Sequence, residues 1–305
     1  MKPAAFEYHR PESVSEATDL LAEHDGAELM AGNQSLGILM ANRLATPDHL
    51  VDLNAVDELS YIDVTDEAVE IGALARHRDI ETSASLAEAL PMFPDAASQI
   101  AGPSVRNMGT LGGSIGEADP AGNYPAVVTA LDGELTLVSP DGQRTVPASE
   151  YFIAYMFTDL GEDELITGVS VDRESFPAER TGMVFLEQKP AAQTWPTISA
   201  AAAVRIDDPD ASAPVVEEAR VALANAADVP LRVEDAEAAV EGEPLGEETL
   251  ASATDAASEA AEPGEEMHAD AEYKEELAGE YTRRSLETAY ERAVDTVNTT
   301  STTKP

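Results

Sequence analysis

Twelve residues, Gly109 to Pro120, read GTLGGSIGEADP and place four glycines, a Thr, a Ser and two carboxylates between two helix-like segments. Gly109, Gly112 and Gly113 can take backbone angles closed to other residues, and without a Cβ they let a ligand touch the main chain. Successive free N–H groups in such a stretch form an anion-binding concavity, commonly one for phosphate. The apolar run after Pro120 reads as a helix covering the loop. A second loop of similar chemistry, AGNQS at Ala31 to Ser35, lies upstream.

Neither loop is a P-loop, since GxxxxGK[ST] is absent, and no GxGxxG opens a βαβ unit. For either loop alone a tight structural turn is the simpler reading. Together they also fit two arms of one dinucleotide site, in which main-chain dipoles replace scarce cations. The residues by themselves leave both readings open.

Cations are scarce indeed: 59 Asp and Glu face 18 Lys and Arg, a formal net charge of -41. Bulk nucleic-acid binding is excluded, because it needs basic surface. Self-repulsion at this charge opposes a compact state, and molar salt, with a Debye length of about 3 Å, removes most of it. The acidic surface therefore points to a salt-loving source. There is no Cys, so thiolate metal sites, Cys-ligated clusters and Cys nucleophiles are excluded from this chain. The five histidines (His9, His24, His49, His77, His268) are scattered without ligand spacing, and no metal site is expected. No apolar leader or membrane-length run occurs, which implies a soluble, cytoplasmic chain.

In chain order, Ala5 to His9 reads as a strand. A helix capped at Ser13 runs toward Gly26, a strand spans Ala27 to Met30, and a helix follows AGNQS before the strand at His49 to Leu53. Leu59 to Val64 and Ala68 to Leu74 form a strand pair, and Arg78 to Ala89 and Pro94 to Ala101 are helical. Pro140-Asp141-Gly142 turns a hairpin, and a strand at Glu164 to Val171 closes the region. Strands at Thr181 to Gln188, Pro196 to Ile206 and Val216 to Leu223 precede an Ala-rich acidic stretch read as helix. From Asn298 onward the chain reads as a frayed tail.

These residues match a family pattern. AGNQSLGILMANRLATPDHLVDL, VRNMGTLGGSIGEADPAGNYPA, ELITGVSV, VALANAADVPLRVEDAEAAVEG and EYKEELAGEYTRRSL occur in the family's order. From about Phe6 to Arg292 the chain resembles the FAD-binding medium subunits of molybdenum hydroxylases, the group of carbon monoxide and xanthine dehydrogenases. The resemblance implies an α+β fold: two FAD-binding lobes of the vanillyl-alcohol-oxidase (PCMH) type, residues 1–56 and 57–175, plus a C-terminal α+β domain, 176–305. Ala31, Gly32, Asn33, Gln34, Ser35 and Leu36 would hold the diphosphate and neighbouring flavin parts. Thr110, Gly112, Gly113 and Ser114 would contact the diphosphate and ribityl portion, with Asp119 in the same motif. Ile100 and Ala101 fall at the adenine end, Asn123 at a contact position, and Leu165 or Ile166 against the ring system. Trp195 would be a lid beside the flavin and Lys189 a displaced cation. Asn33, Glu117 and Asn123 depart from the family's Gly, His and Asp.

The implied role is electron relay. FAD would accept electrons from [2Fe–2S] clusters on a small partner subunit and pass them to an external acceptor, in a dimerised heterotrimer with a large molybdenum-cofactor subunit. No catalytic residue or metal ligand is assigned to this chain. A stand-alone flavin-dependent oxidoreductase of the same fold is the alternative.

Overall fold

The computed structural model describes residues 2–300, with side chains to Asp295. The first unit is β1 (Glu7–His9), α1 (Val14–Glu23), β2 (Glu28–Met30), α2 (Leu36–Ala41) and β3 (His49–Asp52). Its strands run parallel in the order β1-β3-β2, so a helix carries the chain back after each strand. Ser13 starts α1 by accepting the Glu16 N–H at 3.1 Å. The helix stops at His24, short of Gly26, which takes a left-handed turn (φ 70) beyond it.

The second unit holds β4 (Ile62–Val64) and β5 (Ala68–Gly72), then α3 (His77–Thr82), α4 (Ala84–Ala89), α5 (Met92–Gln99), α6 (Pro103–Arg106), α7 (Leu111–Glu117) and α8 (Asn123–Ala130). It continues through β6 (Glu134–Ser139), β7 (Gly142–Pro147), α9 (Ala148–Tyr151), the hairpin β8 (Phe152–Ala154) and β9 (Phe157–Thr158), and β10 (Leu165–Asp172). An antiparallel sheet in the order β4-β5-β10-β6-β7 backs these helices. The single helix expected over 78–89 is two, because Ser83 leaves the first and caps the second, accepting the Leu86 N–H at 3.3 Å. Fully buried Phe93 and Leu111 anchor the core, each contributing about 1.5–3 kcal/mol, and Tyr124 packs beside Phe93.

The third unit is an antiparallel sheet of β11 (Thr181–Gln188), β12 (Ile198–Ile206), β13 (Val216–Ala224) and β14 (Leu231–Arg232), with α10 (Glu234–Val240), α11 (Glu247–Ala260) and α12 (Ala271–Thr300). Both of its faces are buried. Ala201 and Ala203 meet the core of the second unit, while Ala200 and Ala202 meet α10 to α12. Such a sheet reads as a continuous apolar run, as Ala200 to Val204 does. A Cβ on Gly182 would lie 1.9 Å from the Ala289 carbonyl oxygen, so α12 rests directly on β11. The cation-free stretch after Arg232 is helical, with Ala236, Val240, Leu250 and Ala253 buried. Backbone helix continues through Asn298 to Thr300, where a frayed tail was expected; residues 301–305 of that tail lie outside the described residues. Among the described residues no helix is long and apolar enough to cross a membrane.

Candidate cofactor cleft

The two glycine motifs, nearly eighty positions apart in sequence, touch. A Cβ on Gly32 would lie 2.5 Å from the Met108 carbonyl oxygen and 2.6 Å from the Gly109 Cα. Two main chains can approach this closely only where side chains are missing. Arg76 straps the junction: one guanidinium nitrogen donates to the Met108 carbonyl and the other, at 2.5 Å, to the Asn54 side-chain oxygen. Asn54 in turn donates to the Ala31 carbonyl at 2.9 Å and to Asp52 at 2.5 Å. Burial pushes the Asp52 carboxyl up, but donors from Tyr8 and Asn54 outweigh it and hold the group below the usual range.

The junction borders a cleft of about 700 Å³, within the size of large cofactor sites, roughly 300–1,000 Å³. One wall is the β2–α2 loop. Asn33 takes a left-handed conformation (φ 57), and none of the backbone N–H groups of Asn33, Gln34, Ser35 or Leu36 donates to an acceptor among the described residues. A concave run of free amides of this kind accepts an anion. Gln34 donates its side-chain amide to the Gly32 carbonyl at 2.8 Å and so stiffens the loop.

The second motif differs from expectation. GTLGGS is not an open loop: Thr110 caps α7, and Gly112 and Gly113 lie inside its first turn. The N–H groups of Leu111, Gly112 and Gly113 already donate to Ala75, Ala73 and the Thr110 hydroxyl at 3.0, 2.8 and 3.1 Å. Nor are Gly109, Gly112 and Gly113 left-handed, for among glycines only Gly26, Gly142 and Gly242 have positive φ. Here glycine serves close approach. Gly112 presses on Ala73, Gly109 lies against the His77 ring, and Gly113 faces the cleft with Ala31 Cβ 4.0 Å from where its own Cβ would stand.

Ala31 to Leu36, Ile100, Ala101, Thr110, Gly112, Gly113, Ser114, Asn123, Leu165, Ile166, Lys189 and Trp195 all line this one cleft. Asp119 does not; its carboxylate accepts the Ala121 N–H at 2.9 Å in a local turn. Ala101 is held in a left-handed conformation (φ 40) while Arg106 binds the Ile100 and Ala101 carbonyls at 2.9 and 3.1 Å. Asn123 donates to the Ala96 carbonyl at 3.0 Å. Lys189 pairs with Glu187 at 2.5 Å, and burial pushes that carboxyl up while Lys189 pulls it back. The Trp195 ring stands at the rim, more than half exposed.

Other lining residues take no cofactor role from the sequence, where Glu117 stands out only as a departure from the family's His. Burial raises the Glu117 carboxyl, although Ser35 donates to it from the opposite arm. His77 is buried with its Nδ1 unpartnered, and desolvation with Arg76 and Arg106 lowers its pKa to about 4. It is a neutral imidazole at neutral pH. Met156 and Leu160 enter from the segment after β8, which gave no motif. The histidines hold a surprise of their own, since His9, His24 and His49 gather in one cluster.

The cleft fits a dinucleotide: a free-amide concavity for a diphosphate, a glycine surface a Cβ would obstruct, and an apolar end at Leu165 and Ile166. The comparisons with known proteins agree. The family described as FAD binding domain in molybdopterin dehydrogenase matches residues 4–173, and the CO dehydrogenase flavoprotein C-terminal domain matches 184–289. The carbon monoxide dehydrogenase medium chain of Hydrogenophaga pseudoflava is 36% identical over 96% of this chain and 99% of its own length. The nicotine 6-hydroxylase medium subunit of Paenarthrobacter nicotinovorans is 33% identical over 94% and 98%. Among solved structures, carbon monoxide dehydrogenase from Hydrogenophaga pseudoflava, lacking the Mo-pyranopterin moiety, superposes with a TM-score of 0.90, 38% identity and coverage of 96% and 99%.

Proposed function

The chain belongs to the FAD-binding medium subunits of the carbon monoxide dehydrogenase and molybdenum hydroxylase family, and from this premise we propose how its residues serve electron relay. It is an oxidoreductase subunit that binds FAD in a complex with a large molybdenum subunit and a small iron–sulfur subunit. FAD, when bound, takes up two electrons and can exchange them singly, which couples a one-electron donor to a two-electron acceptor. The chain has no Cys, so the donor clusters are ligated on another polypeptide.

The assignments rest on the meeting of the two motifs at Gly32 and Gly109. The free N–H groups of Asn33 to Leu36 hold the diphosphate, in place of the side-chain cations that are scarce in this acidic chain. The open face of Gly113 lets the ribityl portion lie on the main chain of α7. Ile100 and Ala101, pinned by Arg106, form the adenine end. Leu165 and Ile166 floor the ring system, with Trp195 limiting water at the rim. Burial raises the Glu117 carboxyl and so lessens its repulsion of the diphosphate, while the neutral His77 leaves the site's charge unchanged. Positioning is the whole of this chain's task; proton transfer at substrate belongs to the large subunit.

Beside the cleft, Ile153, Tyr155 and Phe157 of the β8–β9 hairpin stand 52, 60 and 61% exposed. An aromatic patch of this kind suits a partner surface. It is assigned to the iron–sulfur subunit, with one heterotrimer pairing with another. A purified chain reconstituted with FAD is expected to show flavin absorbance, and its absence would remove the FAD assignment. Co-expression with the two partner subunits is expected to yield a stable complex whose native mass tells one trimer from two; recovery of only the isolated flavoprotein would favour a stand-alone enzyme.

A further inference from the structure

Three of the five histidines leave their places in the sequence to meet at one edge of the first unit. His9 ends β1, His24 caps α1, and His49 opens β3. One nitrogen from each ring lies within 4.8 Å of the others. His9 Nε2 and His49 Nδ1 are 3.1 Å apart. Two nitrogens bound tetrahedrally at about 2.0–2.1 Å from one metal stand about 3.3 Å from each other, so this pair already has a ligating separation. The His24 ring stacks on His49 at 4.0 Å and on His9 at 4.7 Å between centroids. All three side chains are half-buried, and none lines the cofactor cleft.

We propose that His9, His24 and His49 form a binding site for one divalent transition-metal ion. Imidazole nitrogens of intermediate softness select Zn²⁺, Ni²⁺ or Cu²⁺ over Mg²⁺ and Ca²⁺, which prefer oxygen cages. Glu7, whose carboxylate is 3.8 Å from the ligating His49 Nδ1, stands on the metal side of that ring and supplies a fourth ligand. Register explains the gathering: Glu7 pairs with His49 in the parallel ladder, and His9 follows two residues on, so all three share one face of the sheet. The end of α1 then brings His24 over that face. The His24 ring, now nearly parallel to His49, turns out of the stack on binding to point its lone pair at the ion. Glu23 and Asp25 beside His24, and Asp48 beside His49, add local negative charge that draws a dication. The ion would clasp β1, α1 and β3, the frame on which the Asn33–Leu36 loop is hung.

The full-length chain, treated with EDTA and dialysed, is titrated with Zn²⁺ by calorimetry and thermal melting, with Mg²⁺ as the comparison ion. One Zn²⁺ per chain, a raised melting temperature and no response to Mg²⁺ are expected. In Cu²⁺-loaded protein, electron paramagnetic resonance is expected to show coupling to imidazole nitrogen. His24→Gln and, separately, His49→Gln should weaken Zn²⁺ binding at least about tenfold, whereas His268→Gln should not. Far-UV circular dichroism verifies that each variant is folded. Sub-stoichiometric binding by the parent chain, equal binding by folded His24→Gln and His49→Gln variants, or an equal response to Mg²⁺ would overturn the site, and none of these outcomes bears on FAD content.

Discussion

At Gly32 a single methyl group would separate what the fold holds together. Its Cβ would meet main-chain atoms of Met108 and Gly109, which cannot rotate away. Gly32→Ala is therefore expected to cost about 1–3 kcal/mol by overpacking and to lose flavin along with stability, read by denaturant titration and FAD absorbance. Gly113 differs, because its Cβ would crowd only the Thr110 hydroxyl and otherwise enter the cleft. Gly113→Val should remain folded yet retain little FAD; a flavin content near one per chain would exclude α7 from the site. His77 gives a pH signature. Its folded pKa of about 4 lies below the ordinary histidine value of 6.5, so the unfolded chain binds the proton first and stability is lost as pH falls from 6.5 to 4. Across that window the parent chain should lose about 3 kcal/mol more than His77→Gln, measured by denaturant unfolding at a series of pH values. The glycine motifs were legible as residues because they are local. Arg76 and His77 were not: their roles arise from partners, Met108 and Gly109, that only the tertiary fold brings near.

At the scale of elements, helix and strand types were mostly readable from periodicity, as with β6–β7, β10 and the three long strands of the C-terminal sheet. The misreadings have local causes. GTLGGS looked like a loop because glycine is a poor helix former, but the Thr110 cap and the contact of Gly112 with Ala73 stabilise α7 against that propensity. The β8–β9 hairpin is too short, at three and two residues, to leave a period. Its exposed aromatics carry a prediction. Tyr155→Asp with Phe157→Asp should abolish co-purification of the iron–sulfur subunit while leaving FAD content and melting temperature of the isolated chain unchanged. Retention of that subunit would move the docking face elsewhere.

For the whole molecule, charge sets the conditions of stability. The cations are largely committed: Arg144 binds both Asp159 and Glu164, and Arg220 and Arg232 share Asp132. Little positive charge is left to offset the remaining carboxylates. Melting temperature is expected to climb steeply between dilute buffer and molar KCl, through screening of repulsion; a flat profile in differential scanning calorimetry would exclude repulsion as a limit on stability. The resting of α12 on β11 has a consequence in time. The segment from Lys189 to Pro196, which closes one side of the cleft, hangs between β11 and β12, and both strands lean on α12, which is synthesised well after them. A domain sheet cannot settle before the helix that covers it exists. Cofactor capture thus waits until α12 has been made, and nascent chains stalled before Ala271 should carry no flavin.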